Sequence, residues 1–199
     1  MKRGEVERRA GPCIVRSVRL GDAPSIARHA DNRRIWANLR DAFPSPYTLA
    51  DGKRFVRTAI AQDPETHFVI EAAGEVVGTI GYQLQHDVDR ASAEIGYWVA
   101  ETHWGRGIAT AALVATTALA FERHEELHRM FALPFAGNLA SVRVLEKAAY
   151  RLEGRLHHSA VKDGVVVDQL QYAAGRGVWR PWSREPSAGP RHQARRRQR

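Results

Sequence analysis

The chain has 199 residues, 44% hydrophobic and 26% charged, with a formal net charge of +8. That length and balance suit one soluble globular domain; the chain is too short for two ordinary domains, and no apolar run approaches a bilayer span. The charge sits at the ends, because residues 180–199 carry seven Arg and one Glu and residues 1–10 four basic and two acidic residues, leaving residues 11–178 neutral, so the net charge does not make the body a nucleic-acid binder.

The chain divides into a basic N-terminal extension (residues 1–12), one domain (13–178) and an Arg-rich tail (179–199) expected to be disordered for want of apolar content. Such a tail either contacts RNA or the ribosome through counterion release or serves only solubility. The N-terminus lacks the apolar core of a secretory signal, and the lone Cys13 cannot form an intrachain disulfide. Both features point to the cytoplasm.

Residues 13–20 read as a first strand with β-branched Ile14, Val15 and Val18, broken at Gly21-Asp22. Residues 23–39 carry helical patterning through Ile26, Ala30, Ile35 and Leu39 at imperfect spacing, and the prolines of Phe43-Pro44-Ser45-Pro46-Tyr47 force an extended link. Thr48 or Asp51 starts a second helix that Asp63-Pro64 ends. Strands at 67–72 and 76–85 meet at Ala73-Gly74, and 91–99 forms a third. Residues 105–121 open on glycines and continue as an alanine-rich helix. A strand at 129–135 precedes a helix at 139–148 capped by Gly137-Asn138, and Asp163-Gly164 turns a final hairpin between 152–162 and 165–172. Hairpins mixed with crossover helices predict an α/β fold with a mixed, mostly antiparallel sheet.

Between the strand ending near Val99 and its following helix lies His103-Trp104-Gly105-Arg106-Gly107-Ile108-Ala109-Thr110. A glycine-rich turn into a helix points unpaired N–H groups and the positive end of the helix dipole at one spot, which favours an anion such as a pyrophosphate. Arg106 adds a charge. The glycines alone fit a plain strand-to-helix turn equally well, and the P-loop lysine and the full dinucleotide spacing are missing, which disfavours an NTPase or dehydrogenase.

Glu94-Ile95-Gly96-Tyr97-Trp98-Val99 followed by the loop from Trp104 to Thr110 resembles the central motif of the GNAT acyltransferase superfamily, with Trp104 in the position usually held by Arg or Gln. That departure is typical of the RimJ/RimL branch, which acetylates N-termini of ribosomal proteins. The segment from Asn138 to Tyr150 resembles the second family motif, with Ala149 where the branch usually has glycine. The resemblance covers residues 13–174 and implies about seven strands flanked by about four helices, with acetyl-CoA as co-substrate and no metal. It also implies transfer of acetyl to a primary amine, either a protein N-terminal α-amine or a small amine. A non-catalytic CoA- or RNA-binding module is the alternative.

Amide formation from a thioester needs a neutral amine, a stabilised oxyanion and a protonated leaving thiolate. The resemblance places the pantetheine arm along Trp98 to Ala100 with an oxyanion donor near Val99, and the phosphates on Trp104, Gly105, Arg106, Gly107, Ile108, Ala109 and Thr110. Asn138 is both a helix N-cap and a pantetheine contact in this reading. Glu94 is the candidate base. The family's thiolate-protonating tyrosine falls at Leu145, so Ser141, one turn earlier, is its expected substitute and a cofactor contact. Trp36, Arg40, Phe43 and Tyr47 are expected to line the acceptor side, while Tyr97 reads as core.

His124-Glu125-Glu126-Leu127-His128 also fits the zinc-protease pattern H-E-x-x-H. It falls where the long helix should end, so its two histidines need not share a helical face. His103, His157 and His158 read as surface residues.

Overall fold

The structure, a computed structural model, describes residues 5–181; from residue 182 on, the Arg-rich tail lies outside the described residues. The elements in chain order are β1 (Glu7–Ala10), β2 (Cys13–Ser17), α1 (Ala23–Ala30), α2 (Arg33–Trp36), α3 (Leu49–Ala61), β3 (His67–Ala72), β4 (Glu75–Leu84), β5 (Ser92–Val99), α4 (Ile108–Arg123), β6 (Arg129–Ala132), α5 (Leu139–Lys147), β7 (Arg151–Lys162) and β8 (Val165–Gly175). The strands form one sheet in the order β1-β2-β3-β4-β5-β6-β8-β7. Every neighbouring pair is antiparallel except β5 and β6, which run parallel.

Alternation along the strands feeds two cores, one on each face of the sheet. Phe68 and Ile70 of β3 join Val15, Ile80, Leu113 and Leu145 under α4 and α5. Val69, between them, joins Ile26, Ile35, Val56 and Trp98 under α1 to α3. The α4 helix buries residues around most of its circumference, including Ile108, Ala112, Leu113 and Phe121, so its alanines serve close packing as well as helix propensity.

The fold class holds, and several details differ from the sequence reading. Part of the N-terminal extension is an eighth strand, since Glu7 to Ala10 pair with Arg16 to Cys13. That edge strand is held mainly by its backbone and is largely exposed, so it carries no apolar alternation to read. The helix expected over 23–39 breaks at Asp31-Asn32, where the Asn32 side chain accepts the N–H groups of Arg34 and Ile35 and starts α2, raising the count among the described residues to five α-helices. Leu20 lies in a 3-10 turn, 75% exposed. The strand expected over 129–135 stops at Ala132. Trp179, expected in the tail, packs at the body: its indole N–H donates to the Ala148 carbonyl at 2.8 Å and its ring lies 6.0 Å from Phe121. Among the described residues no helix is long and apolar enough to cross a membrane.

Local chemistry explains the element ends. Thr48 caps α3 in a reciprocal box with Asp51, its N–H donating to Asp51 Oδ2 at 2.8 Å. Asp163 and Gly164 both have positive φ, as their hairpin turn requires. The α5 helix ends in a Schellman arrangement, with Tyr150 N–H on the Leu145 carbonyl and Ala149 N–H on Glu146, each at 3.0 Å. Ala149 there sits at φ 62°, the left-handed region that favours glycine. Ala149→Gly should therefore raise the unfolding free energy by about 1 kcal/mol, measured by urea denaturation.

One charged cluster is buried. Arg16 donates in bidentate fashion to Asp22 at 2.9 and 3.0 Å and through Nε to Glu71 at 2.6 Å, tying β2 and β3 to the turn entering α1. The side chains of Arg16 and Asp22 are only 7% and 8% exposed. Arg16→Ala strands the Asp22 carboxylate and is expected to cost about 3 kcal/mol in the same urea measurement.

Candidate active site

The parallel pairing of β5 and β6 stops at Glu94 opposite Phe131, although β5 continues to Val99. Past Ala132 the chain turns to β8 instead: the Pro134 carbonyl takes Leu170 N–H at 2.9 Å and Phe135 bridges Gln169. The β6-facing edge of β5 is left open. Which groups face that gap follows from antiparallel alternation. Gln85 N–H bonds the Ser92 carbonyl and Ala100 N–H bonds the Val77 carbonyl at 2.7 Å, so residues 92, 94, 96, 98 and 100 spend their main-chain groups on β4. Tyr97 and Val99 point theirs into the gap. The Val99 carbonyl is taken by the Trp104 indole N–H at 2.7 Å, which leaves the Val99 N–H facing the opening.

A cleft of about 810 Å3 occupies the gap, bounded by β5, the Trp104 to Thr110 loop and the first turns of α5. Gly105 and Gly107 sit at φ 75° and 77°, conformations that a side chain would strain. Gly107 is the non-helical residue before α4 and its carbonyl takes the N–H of Ala111, so the N–H groups of Ile108, Ala109 and Thr110 have no intrahelical acceptor. Arg106 is exposed, without an ion-pair partner among the described residues. A second tie steadies the loop: Glu101 accepts from Asn32 Nδ2 at 2.8 Å and pairs with Arg34, whose guanidinium lies 5.1 Å from the Trp104 ring.

Across the cleft, Asn138 accepts Ser141 N–H on its side-chain oxygen at 3.1 Å. Its own N–H donates to Phe135 and its carbonyl takes Val142 N–H, so the side-chain Nδ2, rather than the main chain, is the group free to face a ligand. Ser141 Oγ lies 2.9 Å from the Tyr97 phenol oxygen, and both residues line the cleft. Burial pushes the phenol up to about 12. Leu145 is fully buried.

On the opposite face of the sheet a second cavity, of about 940 Å3, lies between the link joining α2 to α3, helix α3 and strands β4 and β5. Phe43, Tyr47 and Trp98 form its aromatic wall, with ring centroids 4.8 Å apart for Phe43 and Tyr47 and 6.1 Å for Phe43 and Trp98. Burial and the Asp51 carboxylate push the Tyr47 phenol up to about 12. Glu94 pairs with Arg40 at the rim. The two cavities share Leu39, Arg40, Glu94, Gly96, Tyr97 and Trp98. A Cβ added at Gly96 would meet no protein atom within 4 Å, so this glycine neither bulges nor packs; it keeps a window open between them.

The profile of the acetyltransferase (GNAT) domain matches residues 13–151. The probable N-acetyltransferase YjcK of Bacillus subtilis (strain 168) is 31% identical over 163 residues, 77% of this chain and 88% of that protein. The chain belongs to the GNAT acetyltransferase family. Mycobacterium smegmatis RimJ, solved with CoA-disulfide, superposes with a TM-score of 0.75 at 29% identity, covering 87% of each chain. RimL, named a ribosomal L7/L12 alpha-N-protein acetyltransferase and solved with coenzyme A, shares the fold at TM-score 0.71 and 20% identity, over 82% of this chain and 94% of its own. The chain is thus an acetyl-CoA-dependent acetyltransferase acting on an amine.

In this acetyltransferase the expected donor-side residues Val99, Trp104, Gly105, Gly107, Ile108, Ala109, Thr110, Asn138 and Ser141 come together around one cleft. Arg106 stands beside it rather than in its lining. Trp98 lines the cleft as well, but its main-chain groups face β4 and its side chain, 8% exposed, also forms part of the aromatic wall of the other cavity. Trp36 lines neither cavity. Its ring is sandwiched between Arg33 at 3.9 Å and Lys162 at 3.5 Å, which fastens the β7–β8 hairpin to α2. The H-E-x-x-H residues do not share a helical face, because α4 ends at Arg123, and His124 instead bonds the Tyr82 phenol at 3.0 Å. Tyr97, read as core, packs against the core and also lines the cleft, while Arg34 and Glu101, which hold the loop, were not singled out. The phase of β5 was the available signal, since Tyr97 alternates with Glu94 and Trp98 and so faces the helix carrying Ser141.

Gly96→Val places a branched side chain in the window without touching the core. The acetyltransferase should then keep its thermal stabilisation by CoA while losing turnover roughly a hundredfold, read as thiol release from acetyl-CoA.

Proposed function

We propose that this acetyltransferase modifies the N-terminal α-amine of a protein. The observation that carries the reading is the Arg40 to Glu94 ion pair at the window, where a carboxylate expected to take the amine proton already has its charge matched. An acceptor there must supply much of its own neutral amine. An α-ammonium, at about 7.7–8.0, is neutral in roughly a tenth of molecules at pH 7, whereas a lysine side chain at about 10.4 is neutral in under a thousandth. The likeness to RimJ, and the fold shared with RimL, support the same acceptor class.

In this reading the donor's phosphates lie on the N–H groups from Gly105 to Thr110, with Arg106 adding charge from the rim. The Asn138 amide and the open edge of β5 hold the pantetheine arm, and the Val99 N–H faces the thioester oxygen. The acceptor amine enters between Phe43, Tyr47 and Trp98, and Glu94 takes its proton through the window. Cytoplasmic residence and contact of the Arg-rich tail with RNA or the ribosome are consistent with this acceptor.

The test is thiol release from acetyl-CoA with a peptide bearing a free α-amine, the same peptide α-blocked but lysine-containing, and a panel of small amines. The free α-amine should be preferred by roughly a hundredfold, with a rate that rises with pH through about 8 as the α-ammonium loses its proton. Glu94→Gln should lower turnover by roughly a hundredfold without changing stabilisation by CoA. Preference for the blocked peptide or a small amine overturns the acceptor assignment.

A further inference from the structure

We propose that Tyr97 is a positioning residue for the leaving thiolate: its phenol donates to Ser141 Oγ and so aims the serine hydroxyl at the donor sulfur. This inference rests on the reading that Ser141 serves the leaving group. The geometry carries it. The two oxygens are 2.9 Å apart on facing walls of the donor cleft, Tyr97 from the open edge of β5 and Ser141 from the first turn of α5. Ser141 N–H is spent on the Asn138 cap, so its hydroxyl is the polar group left to face the cleft. The family's helix position for a phenol is Leu145, which is fully buried and holds the Schellman contact at the end of α5. In this chain the strand supplies the phenol instead.

The direction of the bond follows from acidity. A phenol is a stronger acid than an aliphatic hydroxyl, so Tyr97 O–H donates and Ser141 O–H stays free to donate onward. The magnitudes also fix what the pair does not do. Burial pushes the phenol up to about 12, while an ordinary thiol titrates near 8.5, so passing the tyrosine proton to the thiolate is uphill. The pair therefore stabilises the thiolate by hydrogen bonding and keeps both protons. The C–N bond forms first and places the carbonyl electron pair on the oxygen facing the Val99 N–H; as that oxyanion collapses the C–S bond breaks with its electron pair on sulfur, and the proton that Glu94 took from the amine finally neutralises the thiolate.

The experiment is a double-mutant cycle of Tyr97→Phe and Ser141→Ala, with kcat, KM for acetyl-CoA and thermal stabilisation by CoA measured for each variant. Tyr97→Phe should lower kcat roughly tenfold with KM and CoA stabilisation unchanged, and the double variant should match Ser141→Ala alone. An unchanged kcat in Tyr97→Phe alongside a slowed Ser141→Ala overturns the role of Tyr97 and leaves that of Ser141 standing. Effects that multiply overturn it as well, since the two would then act independently. Wild-type turnover by Ser141→Ala overturns the underlying reading and this inference with it. A fluorinated tyrosine at position 97 keeps shape and hydroxyl and decides the matter if Tyr97→Phe fails to fold. Its more acidic phenol should bring an alkaline loss of kcat that the wild type lacks, and an unchanged alkaline limb overturns the proposal.

Discussion

Two parallel strands that pair over three residue positions and then separate set the terms for everything else in this protein. A strand edge left unpaired inside a sheet exposes donors and acceptors that need partners. Here one is met within the chain, where the Trp104 indole closes the Val99 carbonyl, and the remainder face a cleft large enough for an extended ligand. The separation is enforced from the β6 side, where Pro134 and Phe135 commit the chain to β8. Once it exists, the glycine loop at the head of α4 and the capped start of α5 fall on either side of it.

The same separation places chemistry on both faces of one strand. Glu94, Gly96 and Trp98 look toward α1 to α3, while Tyr97 and Val99 look toward α4 and α5. Successive residues of a single segment thus line two cavities on opposite faces of the sheet. Rigidity is supplied from outside the cleft. Glu101 ties the glycine loop to Asn32 and Arg34 at the start of α2, and α2 leads directly into the link that carries Arg40 and Phe43. Arg16 anchors the entry to α1 on the same face.

Much of this was legible in the sequence, and the exceptions have physical reasons. Strand alternation, the Asp163-Gly164 turn, the Thr48 cap and the glycines ahead of α4 are local signals, and they appear in the structure where the pattern puts them. The edge strand β1 escaped notice because backbone pairing, not apolar contact, holds it. The break between α1 and α2 falls at the five-residue step from Ala30 to Ile35 in an otherwise helical spacing, where the Asn32 side chain starts the second helix. The loop ahead of α4 was readable because its glycines and free N–H groups are main-chain and contiguous. The Tyr97 to Ser141 contact and the fate of Trp36 depend on residues 44 and 126 positions apart, which no local pattern connects.

The Gly96 window has a consequence for traffic through the enzyme. In the proposed reading, donor and acceptor enter by separate mouths and meet beside Gly96, and the free Cys13 is buried away from that junction, beneath Ile108. Two adjoining cavities give room for both substrates to be bound together when the acyl group moves. Spent CoA and the acetylated product each retreat the way they came, and neither obstructs the other's exit.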